Sequence, residues 1–468
     1  MSVLENEDAK ILIECLKKVD EENSIDIEHF NELVFNMPAD SLIEIIDSIY
    51  AIDIAIALDN FEDEQLLRFY KIIDDEHMAK ILEQANERLQ RRIVEIFQKD
   101  EVLSIFRFMS NDDIADVLGN LRTDTRKSLL KLMSGAGDEK IQKLLKYAKD
   151  SAGGIMTTEY ISLRQSLKVS DALQKIKKIG PKTEVIETIF IINDEKKLVG
   201  TVDLRDIFTA SDDVVIGDII DDNIVSVTPD VDQEEVSKLV SKYDLKAIAV
   251  VTKKDSLLGI ITVDDIIDVL VEEQTEDILK LGGVSGEEGV YSSVIESVKV
   301  RLPWLLINLV TASLSAVIIS KFESVIVQVV ALSAIMPIVA ATSGNSGSQT
   351  LSIIIRSITL GEINLKEDWK RIFKEVRVGM LNSLVTGSIA SVVVYLMYNN
   401  IYLSAIIFSA MILNSVVASS CGFFIPLTLK ALKLDPALAS GIFLTAITDM
   451  MAFLIFLGLA STFLEQLI

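Results

Sequence analysis

Residues 378–429 run for 52 positions without a charged side chain, which is more apolar chain than a soluble domain keeps from water in one piece. A hydrocarbon core about 30 Å thick takes about 20 helical residues at about 1.5 Å each. The run is therefore too long for one crossing, and the polar pair Asn399 and Asn400 divides it in two. Three further stretches fit the same solvent: 19 uncharged residues at 302–320, 32 at 324–355, and residues 436–464, apolar apart from Asp449. Five spans are expected, at about 302–320, 324–355, 378–398, 402–429 and 436–464.

The rest of the chain is of another kind. The 468 residues carry 45 Lys and Arg against 70 Asp and Glu, a formal charge of −25. Residues 300–468 hold ten basic and eight acidic side chains, so a net of −27 falls on residues 1–299. Such a surface excludes a nucleic-acid partner, which would call for basic patches. Two cysteines, Cys15 and Cys421, exclude a disulfide scaffold. The charged start MSVLENEDAK has no apolar segment behind it, so no secretory leader is expected.

Basic residues mark cytoplasmic loops. Lys299 and Arg301 precede the first span, Lys366, Lys370, Arg371 and Lys374 lie between the second and third, and Lys430 and Lys433 precede the fifth. These are alternate connections, which puts the N-terminus and the acidic half in the cytoplasm and the C-terminus outside. A multi-pass protein of the cell membrane follows, with the lipid bilayer as its first partner.

Within the acidic half, residues 1–135 show apolar positions three and four apart behind polar starters, as in SNDDIADVLGNL and TDTRKSLLKLM. This spacing predicts an all-α, superhelical N-terminal domain of repeated helix pairs. Gly135 and Gly137 mark its expected end, with a further helix at about 139–149. Residues 136–277 then contain a doubled unit of about sixty residues, at about 151–212 and 213–277. Each copy reads as helix, strand, strand and helix: DALQKIKKIG, ETIFIIND and LVGTVDLRDIFTA, then DQEEVSKLVSKYDL, KAIAVVTKKD and LLGIITVDDIIDVL. Val236, Leu239, Val240 and Tyr243 share one helix face in the second copy.

Two features carry chemistry. Asp449 lies fourteen residues beyond Asp435, roughly 21 Å at about 1.5 Å each, near the middle of the fifth span. A carboxylate there costs about 2.5–3.5 kcal/mol to insert and so faces a partner or a water-filled path; Thr445 and Thr448 are the nearby hydroxyls. The second feature is a run of seven carboxylates in fourteen residues, Asp264, Asp265, Asp268, Glu272, Glu273, Glu276 and Asp277. Like charges this close repel, and a divalent cation relieves them.

The doubled unit ending in GIITVDD resembles a tandem cystathionine-β-synthase (CBS) domain pair. Together with TEDILKLGG, RLPWLLINL, PIVAATSGNSGSQT and DPALASGIFLTAITDM it resembles the MgtE family of magnesium transporters over nearly the whole chain. The resemblance implies a homodimer that passes Mg²⁺ into the cytoplasm down its gradient. It also implies a plug helix at 278–300, and closure when cytosolic Mg²⁺ binds the acidic domains. Carried onto matching positions, it implies regulatory acids at Asp112, Asp116, Glu234, Asp244, Asp265, Asp268, Glu273, Glu276 and Asp277, and Asp449 in the pore. Gly344, Asn345, Gln349, Gly441, Thr445 and Thr448 are the implied pore lining. For TSGNSGSQT, small-residue helix packing is the competing reading. Ile442 departs from the Pro that many relatives carry there.

CBS pairs also bind adenine nucleotides through a Ser/Thr and an Asp on a strand-helix turn. Thr262 and Asp265 match that pattern for ATP or another adenine nucleotide, whereas the first copy has Asp203 in place of the hydroxyl. No Gly-Lys-Ser/Thr phosphate loop supports ATP-driven pumping, and the lone His29 and His77 form no catalytic or zinc constellation, so no enzyme is expected. Two other classes fit part of the pattern: a CBS-regulated transporter of another ion such as Mn²⁺ or Co²⁺, and a membrane-anchored sensor that conducts nothing.

Overall fold

Polar caps recur every ten to twelve residues along the start of the chain, and each opens a short helix. Asp74 accepts from the His77 amide at 2.9 Å, Asn86 from Leu89 at 2.9 Å and Ser110 from Asp113 at 3.2 Å. Glu62 with Gln65, and Gln98 with Glu101, close reciprocal capping boxes. The helices are α1 (Ala39–Ile46), α2 (Ala51–Asp59), α3 (Asp63–Tyr70), α4 (Asp75–Glu83), α5 (Glu87–Ile96), α6 (Lys99–Phe106), α7 (Asn111–Gly119), α8 (Thr123–Leu132) and α9 (Ala136–Leu144).

The computed structural model describes residues 11–12, 33–133, 136–180, 183, 185–284, 288–289, 292–359, 369–437 and 440–468. Cys15, His29, Gly135 and Lys366 lie outside the described residues. The chain divides into two units, Met1–Leu270 and Val271–Ile468.

In the first unit α2 packs on α4, α4 on α6, α3 on α5 and α5 on α7, the stagger of a helical superhelix. Gly137, expected at a break, lies inside α9. The packing does not stop there: Ile141, Leu144, Ala152 and Met156 join the same core as Val236, Ile248 and Ile266.

The doubled unit forms two three-stranded sheets. The first orders β1 (Tyr160–Arg164), β2 (Val185–Ile192) and β3 (Leu198–Asp203), with α10 (Val169–Ile179) crossing between β1 and β2 and α11 (Leu204–Thr209) following β3. The second repeats the plan with β4 (Ser226–Val227), α12 (Gln233–Tyr243), β5 (Ala247–Val251), β6 (Leu257–Thr262) and α13 (Val263–Leu281). In each sheet the first pair is parallel and the second antiparallel. AIAVV of β5 is buried throughout, as a strand covered on both faces must be. Val236 and Val240 of α12 are buried as expected, but Tyr243 is exposed, with Lys242 over its ring.

The second unit is a bundle of long helices: α14 (Val294–Ser320), α15 (Glu323–Gln328), α16 (Ala331–Thr359), α17 (Trp369–Tyr398), α18 (Ile401–Ala431), α19 (Ser440–Thr462) and α20 (Leu464–Leu467). α18 is the hub, packed against α16, α17 and α19. Among the described residues four helices, α14, the 373–398 part of α17, α18 and α19, are long and apolar enough to cross a membrane. α16 matches them in length at 29 residues but is diluted by TSGNSGSQT.

Two expectations change here. The linking helix, expected as a piece of its own up to residue 300, continues through Pro303 into the first span as a single helix, α14; residues 285–287, 290 and 291 lie outside the described residues. A proline three turns into a helix breaks little when apolar surroundings leave the backbone no other partner. The expected second span is split: α15 ends at Gln328, and α16 starts only at Ala331.

Candidate ion path and acidic sensor

On α19 the helical repeat sorts the implied pore residues. Gly441, Thr445 and Asp449 succeed one another at four-residue spacing on one face. Thr445 is exposed, and Gly441 and Asp449 are partly so. Thr448, by contrast, is 1 % exposed, and its hydroxyl donates to the Leu444 carbonyl at 2.9 Å and the Thr445 carbonyl at 3.1 Å. The structure thus turns Thr448 away from that face. The Thr445 hydroxyl donates to Gly441 at 2.9 Å, so neither threonine serves the carboxylate. Among the described residues Asp449 has no hydrogen-bond or ion-pair partner. α19 begins at Ser440, which puts Asp449 about 14 Å along it, still close to the centre of a 23-residue helix.

α16 is divided in the same way. Asn345, Ser348, Gln349 and Ser352 are exposed on one side, while Ser343, Gly347 and Thr350 are buried on the other. The two glycines separate the competing readings of this segment. A Cβ on Gly347 would stand 3.0 Å from Leu444 Cδ1 and 3.3 Å from the Ala418 carbonyl oxygen, which is close packing. A Cβ on Gly344 would meet nothing within 4 Å. Hence Gly347 packs, and Gly344 opens onto the polar face with Asn345.

Just before the start of α19 the structure makes a connection that the sequence did not announce. Lys280, near the end of α13, donates to Asp435 at 2.5 Å and pairs with Glu276 at 2.5 Å. These two carboxylates raise the Lys280 pKa despite its partial burial. The Leu281 carbonyl lies 3.2 Å from where a Cβ on Gly441 would stand, and the Thr359 hydroxyl at the end of α16 donates to Asp277 at 3.3 Å. Two of the implied regulatory acids, Glu276 and Asp277, are therefore tied to the helices of the bundle.

In the first unit, Asp112 and Asp116 sit one turn apart on α7, and Asp112 accepts from the Thr157 hydroxyl at 2.9 Å. Burial first, and then the Asp113 carboxylate, push Asp112 up to about 7. Asp116 is exposed, yet the protein packed around its carboxylate and then Asp112 and Asp113 push it up to about 7, with Asp265 adding to the push. Glu83 on α4 also reaches about 7, chiefly from burial and then from Asp113. Asp113 and Asp265 are raised by burial as well. Asp265 accepts from the Thr262 hydroxyl at 2.6 Å, so the two residues of the nucleotide pattern bond to each other.

The sequence reading missed Glu83 and Asp113. Asp113 stood beside a named residue in SNDDIAD, whereas nothing local marks Glu83. Glu234 and Asp244 do not join this group as a pair: they lie at opposite ends of α12, about 15 Å apart, with Glu234 paired to Lys238 at 2.7 Å and Asp244 forming a left-handed C-cap. Asp268 is exposed, and Glu273 is partly buried. Among the described residues no three His, Cys, Asp or Glu side chains converge as a ready-made metal cage. The crowded acids are hard oxygen donors, which suits a cation that keeps much of its water.

Comparison with known proteins places these features. The family model for the MgtE divalent cation transporter matches residues 336–459, that for the MgtE intracellular N domain matches 49–150, and the CBS domain matches 152–213 and 216–272. The magnesium transporter MgtE of Bacillus subtilis is 31 % identical over 423 residues, covering 90 % of this chain and 94 % of that protein. The magnesium transporter MgtE of Thermus thermophilus is 31 % identical over 437 residues, 91 % of this chain and 95 % of that one. A crystal structure of the cytosolic domain of the Mg²⁺ channel MgtE in complex with ATP is 28 % identical, covers 49 % of this chain and 94 % of its own, and superposes with a TM-score of 0.47. With two full-length relatives above 30 % identity and its domains in the same order, this chain belongs to the MgtE family of magnesium transporters, a membrane transporter and not an enzyme.

Proposed function

We propose that the chain passes Mg²⁺ into the cytoplasm, down its electrochemical gradient, through a path built by two copies, and that cytosolic Mg²⁺ closes it. The observation that carries this reading is Asp449: a carboxylate near the middle of a membrane helix, in line with Gly441 and Thr445, and without a partner among the described residues. An acid so placed must face water, a cation or another copy. The exposed Asn345, Ser348 and Gln349 on α16 supply neutral oxygens to the same end, and a second copy would shield both faces from lipid. Mg²⁺ gives up water reluctantly, so carboxylate and amide oxygens around a hydrated ion suit it. The membrane potential contributes about 2.3 kcal/mol per charge per 100 mV to inward movement, given a cytoplasmic N-terminus and an external C-terminus.

Closure rests on the crowded acids. Asp112, Asp116 and Asp265, with Glu83 and Asp113, hold like charges that a divalent cation would relieve, favouring the compact arrangement. Asp268, Glu273, Glu276 and Asp277 extend the field along α13, whose far end is pinned to α19 and α16. Thr262 and Asp265 remain the residues through which ATP or another adenine nucleotide would bind, and a nucleotide would have to displace their mutual bond.

A Mg²⁺ flux assay in proteoliposomes, comparing the full chain with Asp449→Ala, tests the reading. Flux in the full chain that is lost in the variant is expected. Equal flux in both would remove Asp449 from the path, and no flux in either would favour the non-conducting sensor. Running the assay with Mn²⁺ and Co²⁺ separates the remaining alternative.

A further inference from the structure

Among the described residues of the membrane helices, three buried side chains carry polar atoms without a hydrogen-bond partner. Asn414 of α18 is 2 % exposed, and neither its amide oxygen nor its amide nitrogen has a hydrogen-bond partner. The hydroxyls of Ser419, 0 % exposed, and Ser343, 4 % exposed, have none either. Several serines in these helices return their hydroxyl to the carbonyl four residues back, as Ser352, Ser388, Ser409 and Ser420 do. Ser343 and Ser419 leave that habit, so their hydroxyls are free to serve something else.

Helix register places Ser343 beside Asn414. α16 and α18 run in the same direction, with Gly347 against the Ala418 carbonyl and Ser346 Oγ 3.4 Å from Ser415 Oγ. One turn back from the first contact on both helices come Ser343 and Asn414. α19 runs the opposite way and touches Gly347 at Leu444, so the same step leads to Thr448, next to Asp449. On the α17 side the Ser419 hydroxyl packs against Gly379, where a Cβ would collide with it and stand 2.9 Å from Ser415 Oγ.

We propose that Asn414 and Ser343 hold ordered water inside each protomer at the depth of Asp449, and that this water positions α16, whose outer face carries Asn345 and Gln349. A cation would satisfy the Asn414 oxygen and leave its two N–H donors unmet, whereas water accepts and donates and meets both. Two or more polar partners are what an internal water needs, and an unmet amide in hydrocarbon is the costly alternative. The site itself stands on this geometry; only its effect on transport rests on the path proposed above.

Radiolytic hydroxyl labelling of the full chain in nanodiscs separates the two, because internal water oxidises its nearest side chains without any flux. Met411, one turn before Asn414 and 3 % exposed, is the reporter, and the exposed Tyr50 is the control. The expected result is labelling of Met411 in the wild type and in Asn414→Ser, and its loss in Asn414→Leu with Tyr50 unchanged. Should Asn414→Leu fail to fold, Ser343→Ala, which removes the second polar partner, is expected to lose the label. An unlabelled wild type, or a label that survives Asn414→Leu, overturns the site. So does Met411 labelling that is suppressed when Na⁺ replaces choline, which would give the site to a cation. For the positioning role, Asn414→Leu is expected to lower Mg²⁺ flux several-fold and Asn414→Ser to restore it; unchanged flux in Asn414→Leu with the label lost overturns that role.

Discussion

The chain uses carboxylates in two opposite ways. In the first unit Glu83, Asp112, Asp113, Asp116 and Asp265 crowd one another, so each holds its proton more tightly than a free acid would. Among the described residues of the membrane unit, Asp449 has no acidic or basic partner. Crowding stores repulsion that a bound ion can release, which suits a site whose occupancy must change a shape. Isolation concentrates one charge where nothing competes for the ion, which suits a site that the ion must also leave.

The largest effect expected from breaking this contrast is at the lone acid. Asp449→Asn keeps the size and removes the charge; Mg²⁺ flux into liposomes should fall on the order of a hundredfold, about 2.7 kcal/mol in barrier terms. Removing charge from the crowd should do the reverse of blocking. In Asp116→Asn, Asp265→Asn, flux should persist, and the internal Mg²⁺ that halves it should rise by about tenfold, near 1.4 kcal/mol. If inhibition held at the wild-type concentration, the crowded acids would not be the sensor.

Proton competition sharpens the comparison further. Glu83, Asp112 and Asp116 titrate at about 7 in the folded chain, above their values of about 4 when unfolded. For acids with a raised folded pKa, stability is lost as pH rises from about 4 to about 7 and stays lost above it. Mg²⁺ should therefore raise the Tm of the full chain most near pH 8 and least near pH 5.5, where protons already neutralise the group. A Tm shift independent of pH would place the ion elsewhere. The smallest effect concerns the tie at the foot of α19: Lys280→Met removes the bond to Asp435 and the pair with Glu276, and should blunt Mg²⁺ inhibition by about threefold, under 1 kcal/mol, without lowering maximal flux.

What could be read in advance followed from local chemistry. Uncharged runs located the membrane helices, because hydrocarbon leaves a charge nowhere to go. The polar starter of SNDDIADVLGNL located a helix start at Ser110, and the doubled unit of about sixty residues located the paired sheets. What could not be read was tertiary. Glu83 meets Asp113 only after the superhelix folds, and Lys280 finds Asp435 across 155 residues of chain. Thr448 shared a sequence neighbourhood with Thr445 but not a helix face, and a list of residues near Asp449 hides that rotation. The fusion of the linking helix with the first span was obscured by Pro303, a residue that ends helices in water more often than in lipid.

That fusion sets a length. At 27 residues α14 is about 40 Å long, some 10 Å more than a hydrocarbon core. Only Ser315 is buried along it, and Arg301 is held by Glu288 at 2.7 Å. The surplus turns, with Glu296, Lys299 and Arg301, exceed what a hydrocarbon core can hold, so this charged end of the helix lies outside the hydrocarbon and limits how far α14 can slide into it.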